Sequence, residues 1–422
     1  MMTSSLKDYS EAYVWVWLPE SAAPIVAGKL EAYGQQLRFN YGQSYLDRAE
    51  QQYAIPLYLP ELPLRKGRLE NLPGLSMPNC LRDAAPDAWG RRVILNKLVG
   101  RGSQSSDTAE LGELVYLLES GSDRIGAFDF QLSPTEYVPR SAKNVPLEEL
   151  VKSAERVEQG IPLTPELDQA LFHGSSIGGA RPKALIEANT CKYIAKFSSS
   201  TDTYSVVKAE YIAMRLADEV GLDVAPVKLV KAANKDVLLI ERFDRQQHPD
   251  GWRRKIMVSA LTLLELDDMM ARYASYETLA EIIRHRFIEP KATLHELFQR
   301  LVFNILVGNT DDHARNHAAF WDGKDLTLTP AYDICPQGRA GNEQSQAMLI
   351  HGRDNRSSLS TCLKSAASYL LTEAEAKAIM KQQIATIEQR WVAICDEAEF
   401  NQVERKLLWR RQFLNPYSVD VP

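Results

Sequence analysis

Residues 309–321 read NTDDHARNHAAFW and directly follow the apolar run LVFNILVG. Two aspartates, two histidines, an arginine and an asparagine therefore stand between two segments that read as buried. A metal site, a solvated loop and a phosphoryl-transfer loop compete as explanations. His313 and His317 have the four-residue spacing that places both on one face of a helix, but no Glu completes an HExxH pattern and the residues after His317 read as strand. A solvated loop is what a polar run usually means when it stands alone. Phosphoryl transfer needs an aspartate that accepts or orients the acceptor hydroxyl proton, and oxygen ligands that hold Mg²⁺ on the phosphates.

The flanking elements bear on that choice. Leu294, Leu297, Phe298, Leu301, Val302, Ile305 and Leu306 recur at helical spacing and stop at Gly308, so the polar cluster emerges from the end of a buried helix. HAAFW, the turn signal Asp322-Gly323 and the alternating DLTLT then read as a hairpin that returns Tyr332 and Asp333 beside the loop. A catalytic Asp, a metal-binding Asn five positions on and a metal-binding Asp after a hairpin is the order found in protein kinases. Asp311, Asn316 and Asp333 have that order and spacing.

A nucleotide site has weaker signals. SSIGGARPK, residues 175–183, offers small residues where backbone could approach phosphates and Lys183 as a cation, yet it lacks the GxxxxGK[ST] of a Walker loop and would serve equally as a plain turn. Lys196 in YIAKFS lies on the second strand of the hairpin that follows, where a lysine would pair with phosphates. Glu210 on the next helix has the place of the glutamate that orients such a lysine, although a helical Glu is commonly just solvated. LLIERFDR reads as a strand leaving into a hinge, with Glu241 and Phe243 available to an adenine edge, or as a core strand that ends in an ion-paired turn.

The 422 residues are 45% hydrophobic and 25% charged, as in ordinary globular proteins, and are long enough for two or three domains. A net charge of -6 argues against coating nucleic acid by bulk electrostatics. Cys80, Cys191, Cys335, Cys362 and Cys395 show no CxxC spacing, and no secretory leader or spanning segment is legible, so a reducing, cytoplasmic setting without membrane contact is expected. Residues 13–46 read as a small sheet, SPTEYVPRSAKNVP as a linker, VVKAEYIAMRLADEVG as a helix ended by Gly221, and the chain beyond about residue 255 as mostly helical.

Taken in order, SSIGGARPK, YIAKF, LLIERFDR, GNTDDHARN and LTPAYDI resemble the HipA-type serine/threonine kinases, the toxin halves of bacterial type II toxin-antitoxin pairs. The resemblance implies an α+β, divergent two-lobed protein-kinase-like fold with an extra N-terminal subdomain and a mostly helical C-terminal lobe. It would divide the chain into residues 1–140 (N-terminal subdomain), 141–246 (N-lobe with ATP loop and hinge) and 247–422 (C-lobe with catalytic loop). ATP and Mg²⁺ are the implied cofactors. Asp311 matches the catalytic aspartate and Asn316 and Asp333 the metal ligands. Gly178, Gly179, Ala180, Arg181, Pro182, Lys183, Lys196, Glu241, Arg242, Phe243, His313, Ala314, Arg315 and Tyr332, with Asn316 and Asp333, match ATP contacts. Ser176 falls on the autophosphorylated serine, with Ser175 adjacent to it. The implied partners are a small helix-turn-helix antitoxin of HipB type, operator DNA reached mainly through it, and a protein substrate such as an aminoacyl-tRNA synthetase.

Two alternatives stay open. The chain could act mainly as an antitoxin-bound co-repressor, with RKLLWRRQF presenting Arg405, Lys406, Arg410 and Arg411 to DNA, or it could phosphorylate a small metabolite. Asp312 departs from the family pattern, in which a small residue is commoner beside the catalytic aspartate.

Overall fold

A computed structural model describes residues 9–99, 111–140, 145–159, 161, 181–199, 201–339, 341 and 343–420. The chain divides into two units. The first comprises residues 1–200, 231–257 and 321–323, and the second residues 201–230, 258–320 and 324–422.

In the first unit, alternating aromatic and β-branched residues form β1 (Glu11–Val16), β2 (Ile25–Tyr33) and β3 (Gln36–Tyr41), joined by β4 (Phe128–Gln131) in the antiparallel order β3-β2-β1-β4. Val14, Val16, Leu30, Phe39 and Phe130 face a core that excludes solvent completely. The segment expected to be a linker is docked on this sheet as far as Arg140. Tyr137 packs against Trp15 and Trp17 with ring centroids 5.4 and 5.5 Å apart and donates a 3.0 Å hydrogen bond to Asp129. Arg140 pairs with the same carboxylate at 2.9 Å. The Ser and Pro content suggested a tether, but one aromatic side chain and a buried acceptor are enough to fix the segment.

The second sheet follows from the two strands read around the Ala-Asn-Thr turn. It consists of β5 (Lys183–Glu187), β6 (Lys192–Phe197), β7 (Val227–Ala232) and β8 (Lys235–Glu241) in the order β5-β6-β8-β7, with the division between units falling inside β7. Beyond β8 lies a hairpin of β9 (Arg245–His248), exposed after Arg245, and the half-buried β10 (Gly251–Arg254).

The turn from β8 into β9 carries a knot of buried charge. Arg242 and Arg245 reach Asp123 at 3.1 and 2.9 Å and Asp244 at 2.8 and 2.9 Å, while Lys192 reaches Asp123 at 2.8 Å. Gly126 N–H donates to Asp244 at 2.8 Å. Burial alone would raise the Asp123 carboxyl, but Arg242 and Arg245, with Lys192 and Arg254, hold it well below the usual carboxylate range. Removing one partner of such a cluster leaves uncompensated charge in the interior. Asp123→Ala should therefore lower stability by about 3–5 kcal/mol in a urea titration at neutral pH. Because the folded-state pKa is depressed, this contribution is present above roughly pH 4 and is lost as pH falls through the folded value, so variant and wild type should converge in acid.

The second unit is mostly helical. Leu294, Leu297, Phe298, Leu301, Val302, Ile305 and Leu306, the apolar positions read from spacing, lie on the helix Pro290–Leu306 and are all 0% exposed. Each such side chain contributes about 1.5–3 kcal/mol relative to remaining in water, so this helix is a firm support for whatever follows it. β11 (Ile256–Ser259), β12 (Ala318–Trp321) and β13 (Leu326–Leu328) make a small sheet ordered β11-β12-β13. β12 and β13 are the hairpin expected from HAAFW and DLTLT. The helix Val206–Glu219 is joined to the long helix Glu373–Glu397 by Arg390 on Glu219 at 2.8 Å and by Tyr211 and Arg215 on Glu397.

Candidate active site

The helix Pro290–Leu306 is capped by Val307 and turned by Gly308, whose φ of 71° needs a residue without a Cβ; an added Cβ would stand 2.7 Å from the Gln412 carbonyl oxygen. The loop that begins there is tethered along its length. The carbonyls of Gly308, Thr310, Arg315 and His317 accept hydrogen bonds from Gln337 N (3.0 Å), Ala347 N (3.1 Å), Tyr332 Oη (2.7 Å) and Ala260 N (2.7 Å). Asn316 Nδ2 donates to the carbonyl of Asp311 at 3.2 Å, which closes the loop on itself. So many anchored carbonyls make residues 308–317 a rigid shelf rather than a solvated excursion.

Asp311 projects from the shelf into solvent. Partial desolvation and the carboxylates of Asp333 and Asp312 raise its pKa above the usual value, with His313 opposing them. The structure thus brings Asp311, His313 and Asp333 into one electrostatic neighbourhood. Asp333 has φ of 58°, a left-handed conformation that is costly for most residues with a Cβ and milder for Asp and Asn. The hairpin return is therefore bent specifically at the carboxylate expected to face the loop.

These atoms fit a hard cation. Among the described residues no group of three or more His, Cys, Asp or Glu could hold a metal by itself. Mg²⁺, however, takes one or two protein oxygens and completes its shell with phosphates and water. Because Asn316 commits its Nδ2 to Asp311, its amide oxygen is the atom left for a cation.

Other sequence candidates are placed as follows. Ala314 is buried, His313 Nδ1 is buried without a hydrogen-bond partner among the described residues, and Arg315 pairs with Asp268 at 2.5 Å. In the first unit, Lys196 on β6 is 8% exposed and stands directly opposite Lys183 on β5. Lys183 is buried, with Nζ 4.0 Å from Asp87 Oδ2, and Trp89 Nε1 donates to its carbonyl at 3.2 Å. Pro182 accepts from Phe197 N at 3.0 Å, next to Arg181. Glu241 ends β8 opposite Tyr193, and Phe243 follows in the turn. The Arg242 guanidinium lies in the Asp123–Asp244 knot and its amide bonds the Lys192 carbonyl at 2.8 Å, so its side chain is directed to the interior rather than to a nucleotide. Glu210 is buried on the helix Val206–Glu219. Gly178, Gly179, Ala180, Ser175 and Ser176 lie outside the described residues.

Residues 175–391 match the HipA-like C-terminal domain, and residues 16–131 match the HipA N-terminal domain. The chain belongs to the HipA family. This HipA-family kinase is 25% identical over 328 residues to the serine/threonine-protein kinase toxin HipA of Shewanella oneidensis, covering 71% of each chain. It is 26% identical over 295 residues to a putative kinase, Y4mE, of Sinorhizobium fredii, covering 63% of this chain and 67% of that one. Its fold matches that of Shewanella oneidensis HipA solved with HipB and operator DNA, with a TM-score of 0.67 at 20% identity over 97% of this chain and 100% of that chain. The fold is thus the α+β, kinase-like fold of HipA. No helix among its described residues is long and apolar enough to cross a membrane.

The sequence pattern assigns the second aspartate of the loop no role. In the structure Asp312 is 1% exposed and accepts a hydrogen bond from the Tyr276 hydroxyl, and His317 Nε2 lies 2.9 Å from its other oxygen. Tyr276 is 36 positions away in sequence, and no local pattern pairs it with Asp312.

Proposed function

We propose that this chain is an ATP- and Mg²⁺-dependent serine/threonine protein kinase, the toxin of a type II toxin-antitoxin pair. The observation that supports this reading is the hydrogen bond from Asn316 to the Asp311 carbonyl within an anchored loop, with the left-handed Asp333 near enough to raise the Asp311 pKa. The acceptor hydroxyl oxygen attacks the γ-phosphorus of ATP, the bond from that phosphorus to the β,γ-bridging oxygen breaks, and ADP leaves. Asp311 takes the hydroxyl proton. Asn316 and Asp333 would hold the cation, which neutralises charge on the phosphates, and Lys196 and Lys183 would supply cations from the β5–β6 hairpin. The backbone from Glu241 to Phe243 would meet the adenine. Autophosphorylation at Ser176 would place a dianion in the phosphate loop and repel ATP.

The Shewanella HipA of similar fold was solved with HipB and operator DNA. That supports a HipB-type antitoxin as partner here, DNA contact mainly through it, and a cytoplasmic setting. Direct DNA contact by RKLLWRRQF has less support. Arg405 is bound to Asp396 at 2.6 Å and Arg410 to Glu388 at 2.8 Å, Arg411 donates to the Arg339 carbonyl at 3.1 Å, and Trp409 stacks on Trp391. Most of the run thus clasps its own unit.

The test is to express wild type and Asp311→Asn with and without a candidate HipB-type helix-turn-helix antitoxin and to compare phosphorylated proteins. Growth arrest relieved by co-expression, together with phosphoserine or phosphothreonine sites present only with wild type, is the expected outcome. An aminoacyl-tRNA synthetase is the substrate class to look for first. Indifferent growth with ATP turnover on a small acceptor would replace the toxin reading with a metabolite kinase.

A further inference from the structure

Asp312 has no part in the proton transfer assigned to Asp311, yet it is the most deeply buried carboxylate of the loop. Tyr276, 0% exposed, opens the helix Tyr276–Arg286 and donates its hydroxyl to Asp312 Oδ2. His317, 3% exposed, sets Nε2 2.9 Å from Asp312 Oδ1 and 3.1 Å from the Tyr276 oxygen. His317 Nδ1 is buried with no hydrogen-bond partner among the described residues. A proton there would be a buried donor without an acceptor, so the ring proton belongs on Nε2, where Asp312 accepts it. One carboxylate thus gathers donors from the far end of its own loop and from a separate helix.

The order of residues gives this contact its consequence. Asp312 is the neighbour of Asp311, and His317 is the neighbour of Asn316. Joining 312 to 317 spans residues 313–316, and Tyr276 supplies a third fixed point outside the loop. We propose that Asp312, His317 and Tyr276 form a positioning brace that fixes the separation of Asp311 from Asn316. This rests on the assignment of those two residues to proton acceptance and cation holding. The brace acts through the backbone, so none of its members touches the substrate.

The test uses the double variant Asp312→Ala with His317→Phe in a Tyr276→Phe background, so that no hydroxyl is left buried without its acceptor; replacing a whole buried polar cluster by apolar groups is often neutral for stability. In the nucleotide-free protein, amide hydrogen exchange across residues 309–317 should rise by about tenfold or more while the thermal midpoint stays near that of wild type. In the full enzyme kcat should fall by about 10–100-fold, with KM for ATP within about twofold, because displacement of reacting groups by an ångström is enough for that loss. His317→Gln, whose amide can still donate to Asp312, should recover most of kcat. If the double variant does not fold in that background, Tyr276→Phe alone, which deletes one hydroxyl, should show the same two changes at smaller size. Wild-type exchange, or wild-type kcat in a folded double variant, would overturn the brace. Full activity of Asp311→Asn would instead sink the site assignment and leave the exchange result standing, so the two failures are distinguishable.

Discussion

Asp311→Asn is expected to lower phosphotransfer by about 10²–10⁴-fold, the usual range for loss of a positioned acid–base group. Nucleotide affinity should be retained. Asn keeps the shape of the side chain but cannot take the acceptor proton. The wild-type rate should also fall on acidification at a higher pH than an ordinary aspartate would give, because desolvation, Asp333 and Asp312 raise the Asp311 pKa and a protonated Asp311 is no acceptor. The same shift has a stability sign. A carboxyl that binds its proton more tightly when folded makes the protein lose stability as pH rises from the unfolded value through the folded one. At neutral pH the nucleotide-free Asp311→Asn protein should therefore melt slightly above wild type, and the two should converge well below pH ~4. Lower activity with higher stability would separate a tuned catalytic group from a structural one; full phosphorylation of protein acceptors by the variant would remove Asp311 from the mechanism.

What the sequence made legible follows from the range of each interaction. The helix Pro290–Leu306 and the hairpin β12–β13 are local patterns: a 3.6-residue apolar repeat ended by glycine, and alternation around Asp322-Gly323. Their placement therefore followed from spacing, and with it the neighbourhood of Asp311 and Asp333. The hairpin β9–β10 had only the Asp250-Gly251 turn to announce it, in a polar stretch whose strands bury little. The stretch 133–146 reads as a linker, yet as far as Arg140 it is docked, because Tyr137 finds two tryptophans from β1 and the residue after it, partners more than a hundred positions away. Asp312 shows the same limit at the site itself. Read locally it repeats Asp311, and only the fold reveals that one aspartate faces solvent while the other is held by Tyr276 and His317.

Asp333→Asn should also cost activity by orders of magnitude, and for a reason that separates charge from backbone strain. At φ of 58° Asp333 occupies a conformation that Asn adopts at least as readily, so the substitution leaves the return of the hairpin intact and removes only the anionic ligand. The cation would then be held through neutral amide oxygens alone, which is a poor ligand set for an ion that prefers carboxylates. The thermal midpoint measured with ATP should rise with added Mg²⁺ in wild type and respond far less in Asp333→Asn. Asp311 should simultaneously become more acidic, since one of the two carboxylates that raise its pKa is gone. Asp333→Ala keeps the Cβ but loses the polar group that eases a left-handed backbone, and a melt about 1–2 kcal/mol less stable than that of Asp333→Asn is expected. Equal Mg²⁺ responses in wild type and Asp333→Asn would remove this residue from the cation site. Equal stability of the Ala and Asn variants would show that the turn at residue 333 is imposed by its surroundings and not by the side chain.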